Sequence, residues 1–195
     1  MLDLAIFISG RGSNMSAIID ACKNADFPAR VSVVISNKPD AKGLEIAEAE
    51  GIPTQVVDHK LYSSKPEFEE ALHEVVSAYS VDLICLAGFM RILGAGFIQK
   101  WPDQIINIHP SLLPEYKGLH THQRVIEDGK DKTGCTVHYV VPEVDAGQTL
   151  VQKVVSVLPD DTEETLGARV LEQEHEAYPE AIDLIAQKLS KRVAG

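Results

Sequence analysis

The feature that most constrains the fold is a regular alternation of apolar runs with helical patterns along the first 109 residues. The apolar runs predict five strands, at Leu4–Ser9, Arg30–Ser36, Thr54–Asp58, Val81–Ala87 and Gln104–His109. Helices are predicted between them, at Met15–Cys22, Gly43–Glu50, Glu67–Tyr79 and Ala95–Trp101. Strands that alternate with helices form a parallel sheet covered on both faces. We therefore predict an α/β fold with a doubly wound, mostly parallel, Rossmann-like sheet, and its continuously apolar fourth strand should be central.

The pattern changes in the last third of the chain. Gly134–Val141 and Thr149–Leu158 both resemble strands and are separated only by a loop, which predicts an antiparallel pair near one edge of the sheet. Thr162–Leu189 is predicted as a terminal helical region with a break at Pro179, because proline disrupts a helix interior. A chain of 195 residues fits one domain, which we place at residues 1–195.

Charge and cysteine content limit the classes of function. The net charge of -11 disfavours a surface for nucleic acid or anionic membrane, because either polyanion would be repelled. The N-terminal apolar run is short and contains Asp3, so it is not a signal peptide, and no run reaches transmembrane length. Cys22, Cys85 and Cys135 are odd in number and far apart, which is typical of reduced thiols in a cytoplasmic protein.

The fifth predicted strand ends in a pair of functional side chains. Residues two apart in a strand point to the same face, so Asn107 and His109 should project together. Pro110 has no amide proton and ends the strand there. A carboxamide beside an imidazole can hydrogen-bond one oxygen atom and move one proton, as acyl or formyl transfer requires. The alternative is a capping Asn and a buried, hydrogen-bonded His.

A glycine-rich turn follows the first strand. Gly10-x-Gly12 invites a dinucleotide-binding interpretation, but the third glycine is missing, and Ser36-Asn37-Lys38 stands where an acidic residue should close the second strand. The exposed amides of the turn, with Ser13 and Asn14, remain suited to a phosphate or another anion at a helix N-terminus. The alternative is a tight turn in which Ser13 or Asn14 caps the helix.

Three histidines raise the question of zinc. His120-Thr121-His122, with His109 upstream, could supply ligands, but a metal site needs three ligands in suitable geometry. We expect solvated or hydrogen-bonded histidines in a loop, and no metal.

Two acidic residues also have two interpretations each. Asp145, in the connection between the two late strands, is either a turn residue or the carboxylate that orients His109 and favours its protonated form. Glu174 is either a site residue or an exposed acid on a helix.

Considered together, the chain resembles the phosphoribosylglycinamide formyltransferase family in six segments, which occur in the family's order and cover nearly the whole chain. These segments are Gly12–Asn14, Ala87–Leu93, Asn107–Pro114, Gly118–His122, Val144–Gly147 and Gln173–His175. The block from Asn107 to Pro114 is similar to the same region of other 10-formyltetrahydrofolate enzymes. The Gly-Ser-Asn turn resembles the glycinamide ribonucleotide branch.

The resemblance implies the formyltransferase fold and an activity. A formyl group would pass from 10-formyltetrahydrofolate, a co-substrate, to the amine of 5′-phosphoribosylglycinamide in purine biosynthesis. The catalytic residues would be Asn107, His109 and Asp145. The ribonucleotide would contact Gly12, Ser13, Asn14, Val141, Pro142, Glu143, Val144, Asp145 and Glu174. The folate would contact Lys65, Met90, Arg91, Ile92, Leu93 and Asn107. Lys65 departs from the arginine of several relatives, and lysine cannot form a bidentate fork with a carboxylate.

Two other functions share these features. A hydrolase of the same fold would release formate from the same folate. A non-catalytic protein would bind or sense the folate without turnover.

Overall fold

The computed structural model describes residues 1–193, in which seven strands form one mixed sheet with helices on both faces. The strands are β1 (Leu2–Ile8), β2 (Ala29–Ser36), β3 (Thr54–Val56), β4 (Leu83–Leu86), β5 (Ile105–His109), β6 (Lys132–Tyr139) and β7 (Thr149–Ser156). The helices are α1 (Ser13–Cys22), α2 (Lys42–Ala49), α3 (Lys65–Ser77), α4 (Ala95–Lys100), α5 (Thr121–Glu127) and α6 (Glu163–Val193). Ala194 and Gly195, the end of the predicted domain, lie outside the described residues.

The order of the strands places a binding crevice at one edge of the sheet. The order is β3-β2-β1-β4-β5-β6-β7, in which β3 to β5 are parallel and the β5–β6 and β6–β7 pairs are antiparallel. The predicted sheet class, the central fourth strand and the antiparallel pair near the edge are thereby confirmed. The order reverses between β1 and β4. Ligands of open α/β sheets bind beyond the carboxyl ends of the strands at such a reversal.

The sheet separates two hydrophobic cores. Ile106 and Ile108 of β5 face the core beneath α1 and α6, whereas Ile105 faces the core that includes residues of α3 and α4. Tyr178 of α6 is fully buried in the first core, and its hydroxyl donates to the carbonyl oxygens of Leu86 (3.0 Å) and Ile106 (3.3 Å). The terminal helix is thereby tied to the ends of β4 and β5.

The predicted break at Pro179 is wrong, because α6 continues for 31 residues through that proline. Proline costs a helix interior about 3 kcal/mol. Its neighbours Tyr178, Ala181 and Ile182 are completely buried against the sheet, and this packing holds the two halves of the helix in line. Although α6 is long, no helix within residues 1–193 is both long and apolar enough to cross a membrane.

The loop expected around His120-Thr121-His122 is also wrong in part. Helix α5 begins at Thr121, directly after His120, whose φ of 56° lies in the left-handed region. His122 therefore lies in the first turn of a helix. The third and fourth strands are two to three residues shorter than predicted, at Thr54–Val56 and Leu83–Leu86.

Candidate active site

Asn107 and His109 lie at the carboxyl end of β5 and line a cavity of about 620 Å³. The strand ends at His109, directly before Pro110, as predicted. Asp145 lines the same cavity from the connection between β6 and β7. The three residues that the family resemblance marks as catalytic thus line one cavity, although Asp145 follows His109 by 36 residues in the sequence.

The ring of His109 is held by contacts at both nitrogens. A carbonyl oxygen can only accept, so Nε2 must donate to the backbone oxygen of Tyr116, 2.8 Å away. Nδ1 lies 3.4 Å from Oδ2 of Asp145, and both side chains are less than a tenth exposed. This separation is longer than a charge-assisted hydrogen bond of about 2.7–2.9 Å. A proton on Nδ1 is therefore not fully committed to the carboxylate and can be shared with an oxygen atom in the cavity.

Asp145 is fixed by the backbone. Its φ is 51°, a conformation that Asp and Asn tolerate better than most residues. The amide of Gly118 donates to Oδ2 at 2.9 Å, which joins the loop after β5 to the loop after β6. The carboxylate thus faces His109 because two loops converge on it.

His138 is a site residue that the sequence analysis missed. It pairs with Asn107 across the β5–β6 ladder and lines the cavity. Its Nδ1 donates to the backbone oxygen of Tyr139 at 2.8 Å. Burial is the largest influence on the pKa of His138 and lowers it, against raising effects from Tyr139 and Asp145. Because Nδ1 carries the proton, Nε2 accepts one N–H of the Asn107 carboxamide, 3.4 Å away, and the second N–H of that group is left for another acceptor.

Sequence signals for these extra contacts were partial. The alternation of β6 places His138 on the same face as Thr136, but only the pairing register puts it opposite Asn107. The role of the Tyr116 carbonyl cannot be predicted from the sequence, because every residue has a backbone carbonyl.

The glycine-rich turn meets α1 as expected, but Gly12 is the residue that precedes the helix, and no side chain caps it. The alternative of Ser13 or Asn14 as the cap is therefore wrong. Gly12 has a φ of 77°, and a Cβ atom there would lie 2.9 Å from the Cα of Gly43. Glycine is thus required by packing against α2. Of the three residues Gly12, Ser13 and Asn14, Asn14 lines the cavity and the other two do not.

Asn14 and Glu174 form a buried polar pair in the cavity wall. Nδ2 of Asn14 donates to Oε2 of Glu174 at 2.7 Å, and both residues are less than a tenth exposed. Burial raises the pKa of Glu174, and the hydrogen bond from Asn14 opposes this rise. Oδ1 of Asn14 has no hydrogen-bond partner among residues 1–193, so it can accept a donor from a ligand. The alternative of Glu174 as an exposed helical acid is wrong.

The segment from Met90 to Leu93 forms another wall of the cavity. All four residues line it, with Met90 and Ile92 each 65% exposed and Leu93 buried. The residues from Val141 to Asp145 also line it, whereas Lys65 does not. Lys65 begins α3, and its Nζ lies 3.7 Å from Oε1 of Glu69. The structure therefore brings together the predicted folate residues except Lys65.

The histidines considered for zinc lie in different surroundings. His120 is exposed at the rim of the cavity, and His122 is half-buried in α5. Burial is the largest influence on the pKa of His122 and lowers it. No cluster of three or more His, Cys, Asp or Glu residues suited to a metal ion is found between residues 1 and 193.

The fold and this site define a class that sequence comparison also supports. Residues 2–182 match the Formyl transferase family, and the chain belongs to that family. It is 46% identical to the phosphoribosylglycinamide formyltransferase of Haemophilus influenzae, over 92% of this chain and 84% of that protein. It is 51% identical to the trifunctional purine biosynthetic protein adenosine-3 of Gallus gallus over 94% of this chain, but spans only 18% of that protein.

Solved structures agree with the fold. Phosphoribosylglycinamide formyltransferase from Brucella melitensis superposes with a TM-score of 0.92 at 49% identity, over 95% of both chains. Glycinamide ribonucleotide transformylase 1 from Symbiobacterium toebii gives a TM-score of 0.94 at 45% identity, over 96% of this chain and 89% of that one. The formyltransferase fold expected from the sequence is thereby confirmed.

Proposed function

We propose that this chain transfers the formyl group of 10-formyltetrahydrofolate to the amine of glycinamide ribonucleotide, as a step of purine biosynthesis. The observation that carries the proposal is the meeting of Asn107, His109 and Asp145 in one cavity, with Nδ1 of His109 3.4 Å from the Asp145 carboxylate. The names of its relatives support the transfer of a formyl group to phosphoribosylglycinamide.

The two sides of the cavity suit two different ligands. Asn14 and Glu174 offer a carboxamide oxygen and a carboxylate, which suit the hydroxyl and amide groups of a ribonucleotide. Gly12 and Ser13, at the N-terminus of the ten-residue helix α1, would bind its phosphate beside the cavity. The exposed Met90 and Ile92 suit the planar, largely apolar pterin of a folate.

The reaction follows from these positions. The neutral amine of the ribonucleotide attacks the formyl carbon, a new C–N bond forms, and negative charge develops on the formyl oxygen. Nδ2 of Asn107 and protonated Nδ1 of His109 stabilise that oxygen, at about 2.7–4 kcal/mol per donor in comparable sites. The carboxylate of Asp145 stabilises the imidazolium. The bond from carbon to N10 then breaks, while a proton passes from the attacking nitrogen to N10 through water.

The proposal also excludes a metal, a covalent intermediate and macromolecular partners. It involves no metal ion and no formyl-enzyme, and its partners are the two small molecules, without nucleic acid or membrane. The net charge of -11 disfavours nucleic acid and anionic membrane as partners. The place of action would be the cytoplasm, which the buried or partly buried free cysteines fit.

One assay separates the candidate functions. Purified protein is given 10-formyltetrahydrofolate with and without glycinamide ribonucleotide, and tetrahydrofolate, formate and formylated product are measured. We expect product only when the ribonucleotide is present. Formate release without the ribonucleotide would identify a hydrolase, and folate binding without turnover would identify a non-catalytic protein.

A further inference from the structure

A buried polar pair lies behind the cavity and is not part of its lining. Ser9 follows β1 and Asn37 follows β2, and they are 5% and 1% exposed. Asn37 occupies the position at which a dinucleotide-binding fold would carry an acidic residue. The hydroxyl of Ser9 donates to Oδ1 of Asn37 at 2.5 Å. The amide of Met90, 81 residues further along the chain, donates to the same hydroxyl oxygen at 2.7 Å.

The directions of the two hydrogen bonds at the Ser9 hydroxyl are fixed. Oδ1 of Asn37 can only accept, so the single proton of the Ser9 hydroxyl is committed to it. The hydroxyl oxygen therefore presents a lone pair to the Met90 amide. Nδ1 of His59 lies 3.1 Å from Nδ2 and 2.9 Å from the backbone oxygen of Asn37, and the tautomer of the ring decides which of the two it hydrogen-bonds. The backbone amide of Ser9 also donates to the carbonyl of Gly88 at 3.1 Å.

The segment that follows is held at its far end as well. Oε1 of the buried Glu69 accepts from the amide of Gly94 at 2.7 Å. Between these ends, Met90 and Ile92 expose about two thirds of their side chains, so packing does little to fix them. Hydrogen bonds at both ends therefore set the path of the backbone from residue 88 to residue 94.

We propose that Ser9 and Asn37 are positioning residues for the formyl donor. They hold the backbone of Met90 so that the polar groups of residues 90–93 meet the pterin ring in the correct orientation. This inference rests on the proposed function, in which that segment binds the folate. A binding site must be held to within about 0.5 Å, and an amide freed from its acceptor is no longer held in this way.

The test is Ser9→Ala, with Ser36→Ala as the matched control. Ser36 is also fully buried at the end of a neighbouring strand, but its hydroxyl donates to the carbonyl of Lys38 at 2.8 Å and does not touch the segment. We expect Ser9→Ala to raise the Kd of a non-reactive 10-formylfolate analogue about tenfold in calorimetry. The KM for glycinamide ribonucleotide should stay within twofold, and Ser36→Ala should change neither value.

Two further measurements separate positioning from general loss of stability. Hydrogen exchange of the Met90 amide in the free protein should be faster in Ser9→Ala than in Ser36→Ala, when each variant is measured at the same number of degrees below its own melting temperature. Asn37→Asp keeps an oxygen to accept the Ser9 proton and should bind the analogue within threefold of the wild type.

The outcomes are distinct. If the wild type neither binds the analogue nor forms product, the proposed function is wrong and this inference fails with it. If the wild type is active but Ser9→Ala matches Ser36→Ala in analogue binding and in Met90 exchange, the function stands and the positioning role is refuted.

Discussion

Replacement of Asp145 by Asn tests the charge at the centre of the proposed mechanism. Asn also tolerates the φ of 51° at this position. The Gly118 amide, now 2.9 Å from Oδ2, needs an oxygen, so the carboxamide oxygen takes that place. The new NH₂ group then replaces Oδ1, which lies 3.7 Å from the accepting Nε2 of His138. The variant keeps its shape and the hydrogen bond from Gly118, loses the negative charge, and places one new donor 3.7 Å from Nε2 of His138.

The size of the effect follows from the geometry. A unit charge 3.4 Å from Nδ1 of His109 contributes about 5 kcal/mol at an effective dielectric constant of ~20. Much of this attraction is realised only when His109 carries its proton against the developing oxyanion. We therefore expect kcat to fall by about 10³-fold, with the KM of both substrates within about threefold, the pattern of an interaction made in the transition state.

The assay is the initial rate with both substrates varied, at pH 7 and constant ionic strength. Asp103→Asn is the matched control, because Asp103 also has a positive φ of 56° but is exposed and does not line the cavity. It should behave as the wild type. The double variant of Asp145→Asn with His109→Asn should be scarcely slower than the worse single variant, because the two groups act as a unit.

Two results would refute the reasoning. One is a kcat for Asp145→Asn within tenfold of the wild type in a folded protein. The other is a double variant, Asp145→Asn with His109→Asn, whose loss of kcat equals the product of the two single losses. Either would mean that the carboxylate does not favour the imidazolium.

Three further predictions concern the rest of the site. Gly12→Ala should lower the melting temperature by about 2–8 °C from left-handed strain of about 1–2 kcal/mol alone, and by more because the new Cβ would lie 2.9 Å from the Cα of Gly43. It should also raise the KM for glycinamide ribonucleotide but not the Kd of a folate analogue, and equal damage to both ligands would contradict the assignment. Gly10→Ala is the control, because a Cβ there meets nothing within 4 Å, and it should change none of these values. Glu174→Gln should melt higher than the wild type at pH 7 and bind the ribonucleotide more weakly. Because burial raises the pKa of Glu174, the wild type loses stability as the pH rises above about 4.3. The difference in melting temperature between Glu174→Gln and the wild type should therefore be smaller at pH 4 than at pH 7, and an equal difference at both pH values would contradict this cause. Extensive chelation should leave the rate unchanged, and activity lost to chelators and restored by zinc would overturn the metal-free reaction.

The parts of the fold that the sequence predicts are those controlled by local pattern. The apolar run of β4 is continuous and the end of β5 is marked by Pro110, so both strands could be placed to within three residues. The prediction of a helix break at Pro179 was wrong because the cost of this proline is outweighed by the burial of Tyr178 and its neighbours against the sheet. This tertiary packing cannot be predicted from the local sequence. Helix α5 has only seven residues and begins after a left-handed His120, which lacks a sequence signal.

The candidate site shows the same division between local and long-range information. Alternation along β5 suffices to place Asn107 and His109 on one face. The choice of which nitrogen of His109 faces the cavity depends on the carbonyl of Tyr116, and the orientation of Asn107 depends on His138 across the ladder. Both contacts require the register of β6 and the path of the loop after β5. Chemistry at the end of one strand was therefore predictable, and its orientation was not.

The change from parallel to antiparallel pairing brings His138 to Asn107, whereas the loop after β6 brings Asp145 to His109. In a wholly parallel sheet the strand beside β5 would end at the same edge as β5, and a helix would separate it from the next strand. Here β6 runs back along β5, so His138 lies opposite Asn107 near the carboxyl end of β5. Strand β6 ends at Tyr139, opposite Ile106 near the amino end of β5, and its connection to β7 folds back so that Asp145 lines the cavity. Asp145 therefore reaches His109 through the path of this connection, which the amide of Gly118 holds in place, and not through the point at which β6 ends.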